Sequence, residues 1–353
     1  MGTESIEASF LSVFALISFF VFLLANKFSH KIREGVLLDK DFSKPQAFHK
    51  SATSRAGGLA GIISLNFFFI IYYLIYSKIL FDYIFVCNLM FVVGFLDDLR
   101  TNISASKRLT LMIIFLFFIV HYFPIKILNI DIPFLYTLLE NNIFSSLFVL
   151  LCFLFIINGA NLIDGFNGLL TINLIIINSV LAYINMSSGN IDFSILIIGQ
   201  IIILFSFLLF NFPSAKIFLG DSGSYLMGSL IALNVIKTNN LNPDFSSFFF
   251  CTILFYLFFE VFFSFFRKII QKKSPLNPDN KHLHMLTFKK ISMFFGNDKS
   301  NYLNSIAINL VNFIFILPAF IFARDTMISR YWFFSLILIY LLIYLRLYRL
   351  TKN

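Results

Sequence analysis

FVVGFLDDLRTN (residues 91–102) ends an apolar run of about twenty-five residues with two adjacent carboxylates, Asp97 and Asp98. Another apolar run follows it. A carboxylate at the centre of a membrane span costs roughly 2.5–3.5 kcal/mol on insertion scales. A chain this apolar therefore places such a pair at the end of a span, at the water boundary. Adjacent side chains on a helix point about 100° apart, so one carboxylate can face a metal while its neighbour faces a substrate. The plainer alternative is a helix end capped by acids. Acids at a helix C-terminus oppose the macrodipole, which counts against it.

Outward from that stretch the composition stays apolar: 59% of the 353 residues are hydrophobic and 13% are charged. Soluble domains carry about 25% charged residues, so the chain reads as an integral membrane protein. Runs near 20 residues recur, each long enough to cross a hydrocarbon core of about 30 Å. They are continuous rather than alternating, which implies helices and not a barrel. The expected fold is all-α, a polytopic membrane helix bundle of about 11 transmembrane helices. Its spans are placed at 9–26, 58–77, 79–96, 108–128, 143–159, 168–186, 193–211, 222–236, 246–266, 302–323 and 331–346. One integral-membrane domain, 1–353, is expected, with its motifs between about 45 and 290. The opening MGTESIEASF has acids and no Lys or Arg, so the first span reads as an uncleaved helix. Cys87, Cys152 and Cys251 lie inside apolar runs and read as packing residues.

The connections alternate in charge. With the N-terminus outside, 22 Lys and Arg fall in the inside segments, and five fall outside: Lys78, Lys126, Lys237, Arg324 and Arg330. The positive-inside rule then predicts N-terminus out and C-terminus in. The net charge of +9 reads as this orientation signal plus attraction to the lipid bilayer, not as nucleic-acid binding.

The polar clusters fall on the same, cytoplasmic, side. Asn158, Asn161 and Asp164 in NGANLIDGFNGL (158–169) are three apart and share one helix face. Gly165 and Gly168 permit a tight turn beside a ligand. Asp221, in AKIFLGDSGS (215–224), precedes a span, where it serves as an N-cap or marks a phosphate or Mg²⁺-phosphate site. With Asp97 or Asp98 it could hold Mg²⁺ through one or two carboxylates. His282 and His284, behind Pro275 and Pro278, are expected in an extended loop and on one side of it. Two His without a third ligand make a poor zinc site, but they suit a diphosphate. Lys50, Arg55, Lys107 and Arg108 are ordinary positive-inside residues that could also neutralise phosphates. Glu260, in the ninth span, reads as a buried polar partner within the bundle. A site built from several loops on one membrane face points to an enzyme. A transporter would more often carry polar residues at mid-membrane.

These motifs resemble those of the polyprenyl-phosphate sugar-1-phosphate transferases, the MraY/WecA-like glycosyltransferase family 4. The resemblance rests on the Asp97-Asp98 pair, Asn158-x-x-Asn161-x-x-Asp164-Gly165, the stretch from Phe218 to Gly223, His282-x-His284, and an early His49-Lys50 with Arg55-x-Gly57-Gly58. It implies a bacterial inner-membrane enzyme with a cytoplasmic active site. That enzyme would transfer a sugar-1-phosphate, expected to be HexNAc-1-phosphate, from a UDP-sugar to undecaprenyl phosphate with release of UMP. The resemblance also implies roles for residues. Asp97 acts on the lipid phosphate, Asp98 supports that base or the metal, and Asp221 binds Mg²⁺. Asn158, Asn161 and Asp164 shape the site, with Gly165, Asn167 and Phe218 near the uridine. His282, His284 and Arg108 bind the diphosphate.

Some positions depart from the family pattern. Met285 stands where a further His is common, and Ala52 and Ser54 stand where prolines are usual. The three consecutive His of the muramyl-pentapeptide branch are absent, which favours a HexNAc enzyme of an envelope glycan such as lipopolysaccharide over a peptidoglycan one. A lipid-linked-sugar or nucleotide-sugar transporter and a membrane scaffold are the competing classes. The residues leave a homodimer open.

Overall fold

The helix α9 (Gly220–Leu241) stands at the centre of the bundle, with every side chain from Ser222 to Ile236 buried. Around it pack α2 (Gly57–Tyr76), α3 (Phe81–Asp98), α6 (Asn142–Ile163) and α7 (Leu169–Ser187). In the computed structural model, residues 3–29, 31, 37–39, 52–99, 101, 103–275 and 279–352 are described. The remaining helices are α1 (Thr3–Phe28), α4 (Ala105–Tyr122), α5 (Pro133–Leu139), α8 (Ile191–Asn211), α10 (Ser247–Ile253), α11 (Phe255–Ile270), α12 (Leu283–Ile321) and α13 (Thr326–Lys352). Two short strands, β1 (Leu38–Asp39) and β2 (Thr53–Ser54), pair antiparallel.

The protein is a multi-pass helical membrane protein. Among the described residues eight helices are long and apolar enough to cross a membrane, or nine if α10 and α11, bent by 77°, form one span. Each of the eleven expected spans falls on a helix, yet α3 and α9 do not meet the apolar criterion. α3 carries three carboxylates, Asp82, Asp97 and Asp98. α9 carries serines and asparagines along a face that other helices cover. There Asn234 accepts from Tyr83 (2.8 Å) and donates to Asn178 (3.0 Å) and Gln200 (2.7 Å). A buried polar group so paired escapes the penalty it would meet against lipid.

The expected ninth span is broken at Leu254. α11 turns one face inward through Tyr256, Leu257, Glu260 and Ser264, while Phe262, Phe265, Phe266 and Ile269 stay exposed. That division suits a helix with one face against the bundle and the other, apolar, face against lipid. α12 is likewise two helices, interrupted at Gly296 (φ 73°, ψ 165°). The lipid-type surface is plain on α2. Ile63, Phe67, Ile70 and Leu74 form an exposed stripe opposite the buried Gly57, Gly58, Gly61 and Ser64.

Candidate active site

A cavity of about 640 Å³ opens at one end of the bundle. Its walls come from the C-terminal ends of α3 and α6, the N-terminal turns of α4 and α9, the face of α11, and the loops between them. One wing is apolar: Leu109, Met112, Leu151, Leu154, Phe155, Val261 and Phe265. The other is polar, with Asn158, Asn161, Asp164, Gly165, Asn167, Asn211, Phe218 and Asp221. Sequence-remote clusters thus meet on one end of the bundle.

The acidic pair divides its work. Asp97 lines the cavity and pairs with Arg108 Nη1 at 2.8 Å. The Asp221 carboxylate lies within hydrogen-bonding range of Asp97 and ion-pairs with the same Arg108 nitrogen. Asn161 Nδ2 donates to Asp221 Oδ1 (3.1 Å) and to Ser224 Oγ (3.0 Å). Asp98 does not line the cavity, contrary to the expectation of a catalytic residue and metal ligand. It is 1% exposed, and its two oxygens accept the backbone N–H groups of Asp221 (3.0 Å) and Ser222 (2.9 Å). It caps α9 from another helix, where a carboxylate satisfies orphan donors and complements the positive end of the dipole. This contact needs a close approach. A Cβ on Gly94 would lie 2.4 Å from Asp221 O, and one on Gly220 (φ 76°) 2.6 Å from Asp98 Oδ2.

The glycine pair 57–58 has a similar use. Gly57 N–H donates to Phe218 O (3.0 Å) and Gly58 N–H to Leu219 O (2.8 Å), while Phe218 N–H donates to Ser54 O (2.7 Å). The segment before α2 thereby holds the Phe218 loop against the cavity. Arg55 lines the cavity and is tied to Asp39 (2.8 Å), with Asp98 at 3.9 Å. Lys50 and His49 lie outside the described residues.

In the 164–168 turn, Asn167 is anchored rather than open to a ligand. Its N–H donates to Asn301 Oδ1 (2.8 Å) and its Nδ2 to Pro213 O (2.9 Å). Asn158 Nδ2 donates to Leu154 O within its own helix (2.7 Å). Asn211, absent from the expected set, holds both loops: it accepts from Gly168 N–H (2.7 Å) and donates to Ile217 O (2.9 Å).

His282 and His284 stack at 5.3 Å with planes 4° apart, so they do share a side. They stand not in a loop but at the start of α12. His282 occupies the cap position with extended backbone and His284 the first turn. Only His282 lines the cavity. His284 is 1% exposed and meets Tyr256 Oη at 3.2 Å, so burial removes it from direct contact with a bound diphosphate. Glu260 is the buried partner that its setting suggested. It accepts from His282 Nδ1 (3.0 Å), Leu283 N–H (3.0 Å) and Tyr340 Oη (2.6 Å). A carboxylate behind an imidazole fixes which ring nitrogen faces forward. Tyr225 and Lys268 also line the cavity. Tyr225 lies four residues after Asp221, a helical spacing that could have flagged it.

Five carboxylates line the cavity (Asp39, Asp97, Asp164, Asp221, Asp279) against three cations (Arg55, Arg108, Lys268). Burial, and then the carboxylates of Asp221 and Asp98, push the Asp164 carboxyl well above its ordinary range. A wall with this sign repels a diphosphate unless a cation intervenes. Among the described residues no three His, Cys, Asp or Glu side chains form a metal-ligating group. Mg²⁺ commonly uses one or two carboxylates, with waters and phosphate oxygens completing its octahedron. Asp97 and Asp221 fit that donor set; Asp98, its oxygens occupied by α9, does not.

Fold and site together define a polytopic membrane protein with an acid-lined cavity at one end of its helix bundle. The model of glycosyl transferase family 4 matches residues 80–239. The undecaprenyl-phosphate alpha-N-acetylglucosaminyl 1-phosphate transferase of Thermotoga maritima is 29% identical over 284 residues, covering 78% of this chain and 80% of the relative. A probable undecaprenyl-phosphate N-acetylglucosaminyl 1-phosphate transferase of Bacillus subtilis is 30% identical over 72% of this chain and 68% of its own. A phospho-N-acetylmuramoyl-pentapeptide-transferase of Clostridium perfringens is 32% identical, but over 40% of this chain and 47% of its own. The chain belongs to glycosyl transferase family 4 and is a phosphosugar transferase.

Proposed function

We propose that the protein transfers N-acetylhexosamine 1-phosphate from a UDP-sugar to undecaprenyl phosphate, releasing UMP and starting a lipid-linked envelope glycan. The observation that carries this reading is the convergence of Asp97, Asp221, Asn161 and Arg108 between an apolar and a polar wing of one cavity. The N-acetylglucosaminyl 1-phosphate transferases are matched over 72–78% of this chain and the muramoyl-pentapeptide transferases of Clostridium perfringens and Clostridium botulinum over 40% and 58%, which favours the former donor.

The apolar wing between α4, α6 and α11 suits a polyprenyl chain, and the polar wing around Phe218, Asn211 and Asp164 suits the nucleoside. A lipid phosphate oxygen attacks the sugar-bearing β-phosphorus. The bond from that phosphorus to the bridging oxygen breaks, and UMP leaves with the oxygen. One diphosphate bond forms and one breaks, so the work is positioning and charge neutralisation. Asp97 holds or takes the proton of the lipid phosphate. Arg108, Arg55 and His282 hold phosphate oxygens, with Glu260 orienting His282. Mg²⁺ held by Asp221 and Asp97 would supply Lewis-acid charge to the diphosphate. In this reading the chain has eleven spans, N-terminus out and C-terminus in, and its cavity faces the cytoplasm from the bacterial inner membrane, a reading supported by the bias of Lys and Arg.

The test is UMP release by the purified protein in detergent, with undecaprenyl phosphate, Mg²⁺ and UDP-N-acetylhexosamines. Release should require lipid and divalent cation and vanish in Asp97→Asn and Asp221→Asn. A folded protein that releases no UMP from any such donor, or that moves the sugar across vesicles without cleavage, overturns the reading.

A further inference from the structure

The Asp97 and Asp221 carboxylates come from different helices and would repel each other across the cavity floor. One guanidinium lies between them: Arg108 Nη1 touches both, at 2.8 Å from Asp97 and in an ion pair with Asp221. Arg108 hangs from the first turn of α4 and itself lines the cavity. Its Nε is buried and has no hydrogen-bond partner among the described residues. The fork is therefore only partly satisfied where it sits. A guanidinium matches phosphate in bidentate geometry better than it matches two separated carboxylates through one nitrogen. The oxygens that Arg108 holds are the ones a divalent cation would take.

We infer that Arg108 is the counter-ion of the Asp97–Asp221 pair in the metal-free protein. It yields those oxygens to a divalent cation when a nucleoside diphosphate offers it another anion. Metal and donor then bind with positive coupling through one side chain, and the site stays electrically balanced in both states. The coupling is reciprocal by linkage, so the donor raises the affinity for metal by the same factor as the metal raises that for donor. The inference rests on the reading of the cavity as a UDP-sugar site.

Isothermal titration of Mg²⁺ into the purified full chain, with and without saturating UDP, tests it. In the unaltered protein UDP should tighten Mg²⁺ by tenfold or more. In Arg108→Gln, Mg²⁺ alone should bind at least fivefold more tightly, and the UDP effect should shrink below threefold. If Arg108→Gln does not fold, Arg108→Lys keeps the charge without the fork and should move both quantities the same way, by two- to threefold. Unchanged or weaker Mg²⁺ binding without UDP in the folded variant overturns the exchange and leaves the donor-site reading standing. No Mg²⁺-dependent UDP binding in the unaltered protein overturns both.

Discussion

Asp97 and Asp98 are chemically identical neighbours with opposite surroundings. Asp98→Asn would present an amide nitrogen toward N–H donors and remove charge from the α9 dipole. The expected loss is about 1–3 kcal/mol of stability, read as a lowered melting temperature whether or not Mg²⁺ is present. Asp97→Asn should melt close to the unaltered protein while its UMP release falls by about 100-fold or more. Equal melting temperatures for the two variants would remove the capping role of Asp98. Asp164 gives a pH signature. Its carboxyl is held up by burial and by Asp221 and Asp98. A raised carboxyl binds its proton more tightly in the folded chain than in the unfolded one. The stability it contributes is therefore present below the ordinary carboxylate range and lost as pH climbs through the raised value. In EDTA the melting temperature should decline as pH rises from that range toward neutrality, and Asp164→Asn should flatten the decline. Parallel curves would contradict this.

At the scale of elements, the contact between α3 and α9 decides whether there is a site. Gly94 Cα lies where any Cβ would meet Asp221 backbone at 2.4–2.5 Å. Backbone cannot move aside as a side-chain tip can. Gly94→Ala should destabilise by about 1–3 kcal/mol or more and abolish activity, because α3 carries Asp97 and Asp98 one turn further on. An active Gly94→Ala protein of normal melting temperature would show that the helices slide freely. Hydropathy undervalues both helices: α3 for its carboxylates Asp82, Asp97 and Asp98, and α9 for polar side chains that are satisfied only by residues distant in the chain, Tyr83 and Asn234 being 151 positions apart.

Over the whole molecule, charge supports the proposed orientation. Three of the five cations assigned outside face carboxylates: Lys78 with Asp192, Lys237 with Asp82, and Arg324 with Asp244. Lys126 and Arg330 are held by oxygens of Asn142 and Asp131. The orientation itself rests on the 22 Lys and Arg of one side against these five, because acids contribute little to the rule. A reporter active only in the cytoplasm should work when fused after residue 353 and stay dark at the N-terminus. A cysteine at Lys78 should label from outside in intact cells. The reverse pattern would invert the molecule and put the cavity on the wrong face for a nucleotide sugar.

The sequence by itself determined the helical membrane class, the approximate place of each apolar span but not α5, the break at Leu254 or the part of α12 before Gly296, and the polar clusters that line the cavity. These follow from local physics: apolar length, charge bias and the 3.6-residue period act within one stretch of chain. Only the tertiary structure decided that Asp98 caps α9, that His284 is buried behind His282 and Glu260, that Asn167 is an anchor, and that Arg108 joins Asp97 to Asp221. Arg108 and Asp221 lie 113 positions apart, and Asp98 and Ser222 lie 124 apart. No local pattern distinguishes a carboxylate facing a cavity from one facing a helix terminus. That distinction arises when packed glycines let α3 and α9 approach.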